Sequence, residues 1–300
     1  MTSAVYGAPA LADVPADALK VSPLIPGADA LEDIPGASLD AIAIAAPPGA
    51  IERRYVLALA LRALKAGGVL TAVAPKDKGG MRLRKELEGF GCVVSEQSLR
   101  HQRLCTCDCP EAPAGLEQAI AEGAPQPAPG LGLVSQPGVF SWDRPDPGSL
   151  ILARHLGGLA GEGADLGCGV GVLALGVLAL PKVTALTLVD IDRRALDAAR
   201  RNVPDPPRPL PAGRPAPTGP SLTGLDFVVM NPPFHDGGEE DRGLGQAFIR
   251  RAAAMLRRGG VLRLVANIGL PYEATLAEAF DQARRLEQGG GYKVLEGRRT

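Results

Sequence analysis

The sequence predicts an α/β protein made of two consecutive domains, and three observations carry that expectation. From Ser135 onward, strand-length apolar runs alternate with stretches of helical periodicity, the pattern of a parallel sheet covered by helices on both faces. A fainter alternation of the same kind runs over residues 40–94. The two share a repeat: LDAIAIAAPP, a helix and LKAGGVLTAVAP in 39–75, against LDFVVMNPPF, a helix and LRRGGVLRLVAN in 225–267. Each copy sets Pro-Pro at the end of a strand and Gly-Gly before the next one.

The first 40 residues are rich in Pro, Ala and Asp and show weak periodicity. Residues 40–45 read as a short strand. Residues 51–66 place apolar side chains at helical spacing, and Gly67-Gly68 stops them. A strand is expected over Val69 to Ala74, a charged helix over 81–89, and a further strand from Cys92. Residues 110–130, dense in Pro, Gly and Ala, read as a surface connection, so the domains are expected to be 1–130 and 131–300. In the second, helices are expected over 149–159, 172–180, 193–202, 244–257 and 272–282. Strands are expected over 164–166, 185–190, 225–230 and 261–266.

Composition narrows the function. The chain has 300 residues, enough for two domains, and is 46% hydrophobic with only 6 Phe, 4 Tyr and 1 Trp, so its cores must be built from Ala, Leu and Val. A formal net charge of -1 argues against a generally basic nucleic-acid binder. Any such contact must come from local clusters: Arg53/Arg54, Arg82 to Lys85, Arg250/Arg251, Arg257/Arg258 and Arg298/Arg299. Each of these also reads as a solvated helix face. There is no secretory apolar region and no membrane-length apolar run, so a cytoplasmic protein is expected. The five cysteines are odd in number; Cys105, Cys107 and Cys109 would share one face of an extended segment, with His101 nearby. Their spacing is not that of paired zinc ligands, so buried strand thiols are expected and no metal.

Three elements of the second domain carry chemistry. Asp165-Leu-Gly167-Cys-Gly169-Val-Gly171 follows a strand, and glycines at alternate positions let a tight turn bring backbone N–H groups up to a ligand. The spacing is not that of the dinucleotide fingerprint. Asp190 ends the next strand, where an acid in such folds accepts hydrogen bonds from ribose hydroxyls. Asp192 is the alternative, and the better N-cap for the helix that follows. The third element is Asn231-Pro232-Pro233-Phe234, directly after a hydrophobic strand. Two prolines fix a rigid extended turn at the carboxyl end of the strand, where open α/β sheets bind ligands. The Asn231 carboxamide oxygen and the Pro232 carbonyl could hold an amino group with its lone pair aimed at an incoming methyl, and Phe234 offers a face for a flat base. Such a transfer is mostly positioning. A base inside a helix must first be extruded. No glycine loop precedes the first Pro-Pro, so the first copy is expected to bind no nucleotide.

On these residues the chain resembles class I, Rossmann-like methyltransferases that act on amino groups. NPPFHDG (231–237), LRLVANIGLPYEATLAEAF (262–280), GYKVLEG (291–297) and GVFSWDRPDPGSLILARHL (138–156) are similar to the ribosomal RNA small subunit methyltransferase C family, strongly over 135–300 and weakly before 130. The resemblance implies S-adenosyl-L-methionine as cofactor and guanine N2 of 16S rRNA, free or in the small subunit, as target. It implies that Asp165, Gly167, Gly169, Gly171 and Asp190 line the cofactor site and Asn231, Pro232, Pro233 and Phe234 the target site, with His235 and Asp236 beside it. It also implies a degenerate methyltransferase-like first domain that helps dock RNA. Oligomeric state stays open.

One stretch departs from that family. Between the ribose acid and the Asn-Pro-Pro turn such enzymes carry a strand ending in an acid that contacts adenine. Residues 203–224 here hold 8 prolines in 22 residues, with Asp205 as the only acid, and cannot form a central strand. Either the residues are genuine and one strand is missing, or GC-rich codons are read here in a shifted frame. Three rival functions fit part of the pattern. A release-factor glutamine-N5 methyltransferase shares the glycine loop and the Asn-Pro-Pro turn but usually has Tyr where Phe234 stands, and a non-catalytic RNA-binding scaffold would tolerate the damaged stretch. DNA adenine-N6 methyltransferases share the turn with a different first or last residue.

Overall fold

The computed structural model describes residues 2–203, 222–233, 235–236, 239–240 and 242–300. The chain separates into two compact units, one of Met1–Gln126 with Gln136–Gly138, the other of Pro127–Ser135 with Val139–Thr300.

The first unit contains β1 (Ser3–Tyr6), β2 (Leu19–Val21), β3 (Leu39–Ala45), α1 (Ala50–Ala63), β4 (Leu64–Pro75), α2 (Met81–Gly89), β5 (Val94–Leu99), β6 (Gln102–Asp108) and α3 (Leu116–Gly123). Its sheet runs β2-β1-β3-β4-β6-β5, the first four strands parallel and the last two antiparallel. The helix α1 is buried almost all round: Tyr55 through Leu61 lie in the core with Ile42 and Ile44 of β3. A helix apolar on every face belongs inside, which is why its sequence shows little amphipathic contrast. The expected connection over 110–130 is corrected here. It holds α3, whose Ala119 packs in the core, and small residues there suit close approach rather than a solvent loop. Cys105, Cys107 and Cys109 are all buried, on the face of the β6 segment that meets the core.

The second unit contains β7 (Gln126–Ala128), β8 (Leu133–Ser135), α4 (Pro147–Ala153), β9 (Gly161–Leu166), α5 (Val172–Leu178), β10 (Val183–Val189), α6 (Arg193–Asn202), β11 (Leu225–Met230), β12 (His235–Asp236), β13 (Glu239–Glu240), α7 (Arg242–Met255), β14 (Leu256–Asn267), α8 (Tyr272–Ala279), β15 (Gln282–Gly289) and β16 (Tyr292–Arg298). The sheet runs β10-β9-β11-β14-β16-β15, again four parallel strands followed by two antiparallel ones. Its two faces pack separate apolar clusters, one around α7 and α8, the other around α4, α5 and α6. The expected helix over 272–282 ends at Ala279, and the chain turns into the edge strand β15. Likewise α4 ends at Ala153 rather than 159, and β14 begins at Leu256 where a helix was expected to 257. Among the described residues β10 is the outer strand at the end of this sheet opposite β15. Residues 204–221, where the proline-rich stretch and Asp205 fall, lie outside the described residues, as does Phe234.

The repeat read from the sequence recurs in atomic detail. At the start of β3, Asp40 accepts the Thr2 N–H at 2.6 Å and pairs with Lys65 at 2.6 Å. At the start of β11, Asp226 accepts the Glu162 N–H at 2.8 Å and the Arg257 Nε at 2.6 Å. In both copies the Gly-Gly turn exchanges backbone hydrogen bonds with the end of the last strand, Gly67 and Gly68 with Cys109, Gly259 and Gly260 with Arg299. Gly67 and Gly259 both have φ near the left-handed region, at 76° and 80°, which a side chain would strain.

Candidate active site

The parallel strands β9 and β11 are direct neighbours, with Leu166 paired to Met230, so the glycine loop and the Asn-Pro-Pro turn leave the same edge side by side. A Cβ built on Gly167 would lie 3.6 Å from the Asn231 carbonyl oxygen. Both open on a cleft lined by Gly167, Cys168, Gly169 and Asn231, with Phe140, Arg144, Asp146 and Ser149 from the segment before and within α4.

The loop is built by backbone conformation. Gly167, Gly169 and Gly171 have φ of 74°, 53° and 92°. Around Gly169 a Cβ would meet nothing within 4 Å, so it is the left-handed φ, not crowding, that favours glycine there. Gly171 instead sits against α6, 3.2 Å from Val203 and 3.4 Å from Ala199 for a built Cβ, and begins α5. Gly167 and Cys168 N–H both bond the Val189 carbonyl, at 2.8 and 3.1 Å, which ties the loop to the end of β10.

Asp190 completes that tie. Its Oδ2 accepts the Gly169 N–H at 2.8 Å and its Oδ1 the Asp192 N–H at 2.9 Å. The helix-capping role belongs to Asp192, which accepts the Arg194 N–H at 2.9 Å and forms an ion pair with the Arg194 guanidinium at 2.8 Å. Burial pushes the Asp190 carboxyl up to about 6, against backbone N–H groups of Asp192, Gly169 and Ile191 that pull it down. Asp165, at 0% exposure, is raised further, to about 8, by burial first and then by the nearby Asp190. Neither Asp165 oxygen has a hydrogen bond of ordinary geometry, an unusual state for a buried carboxylate. The buried Asp165 and the half-buried Asp190, beside a cleft with open space over Gly169, suit a ligand that brings positive charge and hydroxyl donors.

Asn231 is half-buried at the end of β11, with Pro232 buried and Pro233 exposed. Its Nδ2 donates to Asp146 Oδ2 at 2.8 Å and to Ser149 Oγ at 3.0 Å. Asp146 is the N-cap of α4 and accepts the Ser149 N–H at 2.7 Å. These two residues were not singled out from the sequence. The signal was present, since Asp-Pro is an N-cap followed by a proline at the first helical position, but it was read only as a helix beginning at 149. Of the five candidate basic clusters, Arg53/Arg54 is corrected. Arg53 is 1% exposed, paired at 2.7 Å to Glu86, and Arg54 lies 5.6 Å from the centre of the Phe90 ring. Arg299 donates to the Ala253 and Leu256 carbonyls at 3.0 and 2.7 Å, closing the end of α7, and Arg257 holds Asp226. Arg82, Arg84 and Lys85 are exposed on α2, and Arg84 pairs with Glu88.

Residues 130–296 match the methyltransferase small domain family. The chain is 37% identical over 251 residues to the ribosomal RNA small subunit methyltransferase C of Pseudomonas paraeruginosa, covering 82% of this chain and 75% of that protein. It is 31% identical over 270 residues to the Shewanella loihica protein of the same name, covering 88% and 78%. The solved T. thermophilus 16S rRNA N2 methyltransferase, in complex with AdoMet and guanosine, is similar over 100% of this chain and 88% of its own, with a TM-score of 0.81 and 25% identity. A glycine loop and an Asn-Pro-Pro turn on neighbouring strands, and relatives of this similarity over most of the length, lead to one statement: the chain belongs to the ribosomal RNA small subunit methyltransferase C family.

Proposed function

We propose that this chain transfers a methyl group from S-adenosylmethionine to the exocyclic N2 amine of a guanine in 16S rRNA. The observation that carries the reading is the shared cleft between the β9 loop and the β11 turn, where Gly167 stands against Asn231. The residues fit the cofactor, which supplies a methyl group carried on a positively charged sulfur. Asp190, fixed by the Gly169 and Asp192 N–H groups, keeps lone pairs for ribose hydroxyls. Asp165 and Asp190 are acids held partly protonated by burial, and a cation in the cleft favours their ionised forms.

On the target side, Asn231 Oδ1 and the Pro232 carbonyl accept the two amine hydrogens and thereby orient the nitrogen lone pair. Neither group is a base, so the proton released when the nitrogen forms its new bond passes to water. The work of the site is alignment of two groups rather than proton abstraction. Phe234, which follows the prolines in the sequence, lies outside the described residues. Residues 1–130 would dock RNA, with the exposed Arg82, Arg84 and Lys85 as phosphate contacts, and 131–300 would hold the cofactor and catalyse.

The test is transfer of radiolabelled methyl onto naked 16S rRNA, 30S particles and a release factor, with nucleoside mass spectrometry of the product. N2-methylguanosine from RNA is the expected result. Label on the release factor alone, or cofactor binding with no transfer at all, would overturn the assignment.

A further inference from the structure

We propose that Asp146 is a positioning residue for this reaction: it decides which end of the Asn231 carboxamide faces the target amine. The proposal deepens the methyl-transfer reading above and rests on it for its kinetic consequences. A carboxamide has an acceptor end and a two-hydrogen donor end of nearly the same shape, so packing alone chooses poorly between them. Only the orientation with Oδ1 toward the target can accept a hydrogen from an amine. The other would set two N–H groups against it.

Both Nδ2 hydrogens have acceptors in the structure, Asp146 Oδ2 at 2.8 Å and Ser149 Oγ at 3.0 Å. The two acceptors differ in kind. A hydroxyl donates or accepts, so Ser149 would adapt to either orientation. A carboxylate only accepts, so Asp146 discriminates: turning Asn231 over would bring its oxygen against the Asp146 oxygen at hydrogen-bond distance. Asp146 is itself held, since the same Oδ2 accepts the Ser149 N–H at 2.7 Å as the N-cap of α4. Gly148 leaves the room this needs. A Cβ there would stand 3.0 Å from Asp146 Oδ2 and 2.9 Å from the Tyr292 ring.

The test separates this role from capping. Asn and Ser cap helices about as well as Asp, so Asp146→Asn and Asp146→Ser keep the start of α4 but lose the acceptor-only group. Both are expected to lower kcat by about tenfold or more, with the melting temperature and the calorimetric affinity for S-adenosylmethionine close to wild type. Ser149→Ala, which removes the acceptor that suits either orientation and leaves Asp146 in place, should lower kcat less than Asp146→Asn does. A second readout needs no substrate. In nitrogen-15 spectra of the free protein, the Asn231 side-chain protons, identified by their loss in Asn231→Ala, should exchange slowly in wild type and rapidly in Asp146→Asn. Rapid exchange in wild type overturns the proposal whatever the substrate is. So does a kcat for Asp146→Asn near that of wild type, or lost cofactor affinity with kcat unchanged, which would make Asp146 a cofactor contact. If the wild type transfers no methyl to RNA while the slow exchange and its loss are seen, the function fails and the positioning stands.

Discussion

The two sheets of this chain have the same strand order and the same clamps, and differ in what stands at their strand ends. β1 is followed by Gly7-Ala8-Pro9 where β9 is followed by three alternating glycines, and Ala45 stands in β3 where Asn231 follows β11. The first Pro-Pro turn is also filled. The buried Arg53 guanidinium donates to the Pro47 and Pro48 carbonyls at 3.1 and 2.8 Å and to Glu86 at 2.7 Å. In the second unit the corresponding region opens on a cleft. The architecture therefore carries no activity by itself. In the reading proposed above, a handful of residues at the carboxyl ends of the strands does, and at the corresponding place in the first unit the Arg53–Glu86 ion pair stands instead.

That contrast can be attacked from both sides. The largest effect should come from Arg53→Ala. It leaves Glu86 buried without its partner and two carbonyls without a donor, which costs about 3–5 kcal/mol. Thermal or urea unfolding measures it, and a change under about 1 kcal/mol would mean the filled turn is incidental. Next comes Asn231→Ala. Turnover should fall about 10²–10³-fold, the scale for deleting one positioned hydrogen-bonding group, with cofactor affinity near normal. A variant that turns over at the wild-type rate would place the target site elsewhere.

The buried acids set a third expectation. Because Asp165 and Asp190 have carboxyls raised to about 8 and about 6, a cationic cofactor should bind more tightly as pH rises from about 6 to about 8, releasing protons as it does. Calorimetry in buffers of different ionisation enthalpy reads the release directly, and affinity that is flat over that range would count against it. The same shift has a stability consequence. A carboxyl raised above its unfolded value favours the folded state when protonated, so its contribution is present at low pH and declines as pH rises to about 8. Asp165→Asn should therefore raise the melting temperature more at pH 8.5 than at pH 5, and an equal effect at both would show that the charge is not what is destabilising. The smallest effect belongs to the clamps. Removing the exposed Asp40–Lys65 pair should scarcely move stability, as expected of a surface ion pair, and loss of cooperative unfolding in Asp40→Ala would contradict it.

Much of this was legible in the sequence because the informative residues are local punctuators. Pro-Pro and Gly-Gly restrict the backbone wherever they occur, and alternating glycines after an apolar strand announce a tight turn. The helix over 193–202 and the strand over 225–230 match the structure to the residue, since each has a strong period and a clear stop. β15 was not legible. Its sequence, QARRLEQG, is largely exposed and charged, as suits a sheet edge, and its residues favour helix when read alone. α3 was missed for a related reason. Its Ala and Gly signal a loop by composition but serve close packing, with Gly123 against Tyr55.

By itself the sequence determined the α/β class, the internal repeat and the identity of the loop, the acid and the Asn-Pro-Pro turn, because these depend on residue type at short spacing. Only the tertiary structure decided that the first Pro-Pro turn is filled by Arg53 and that Asp146 lies against Asn231, 85 positions away along the chain. Those facts follow from which strands pair and which helix end meets which turn. Long-range pairing is selected by burial of whole faces and leaves no local period to read.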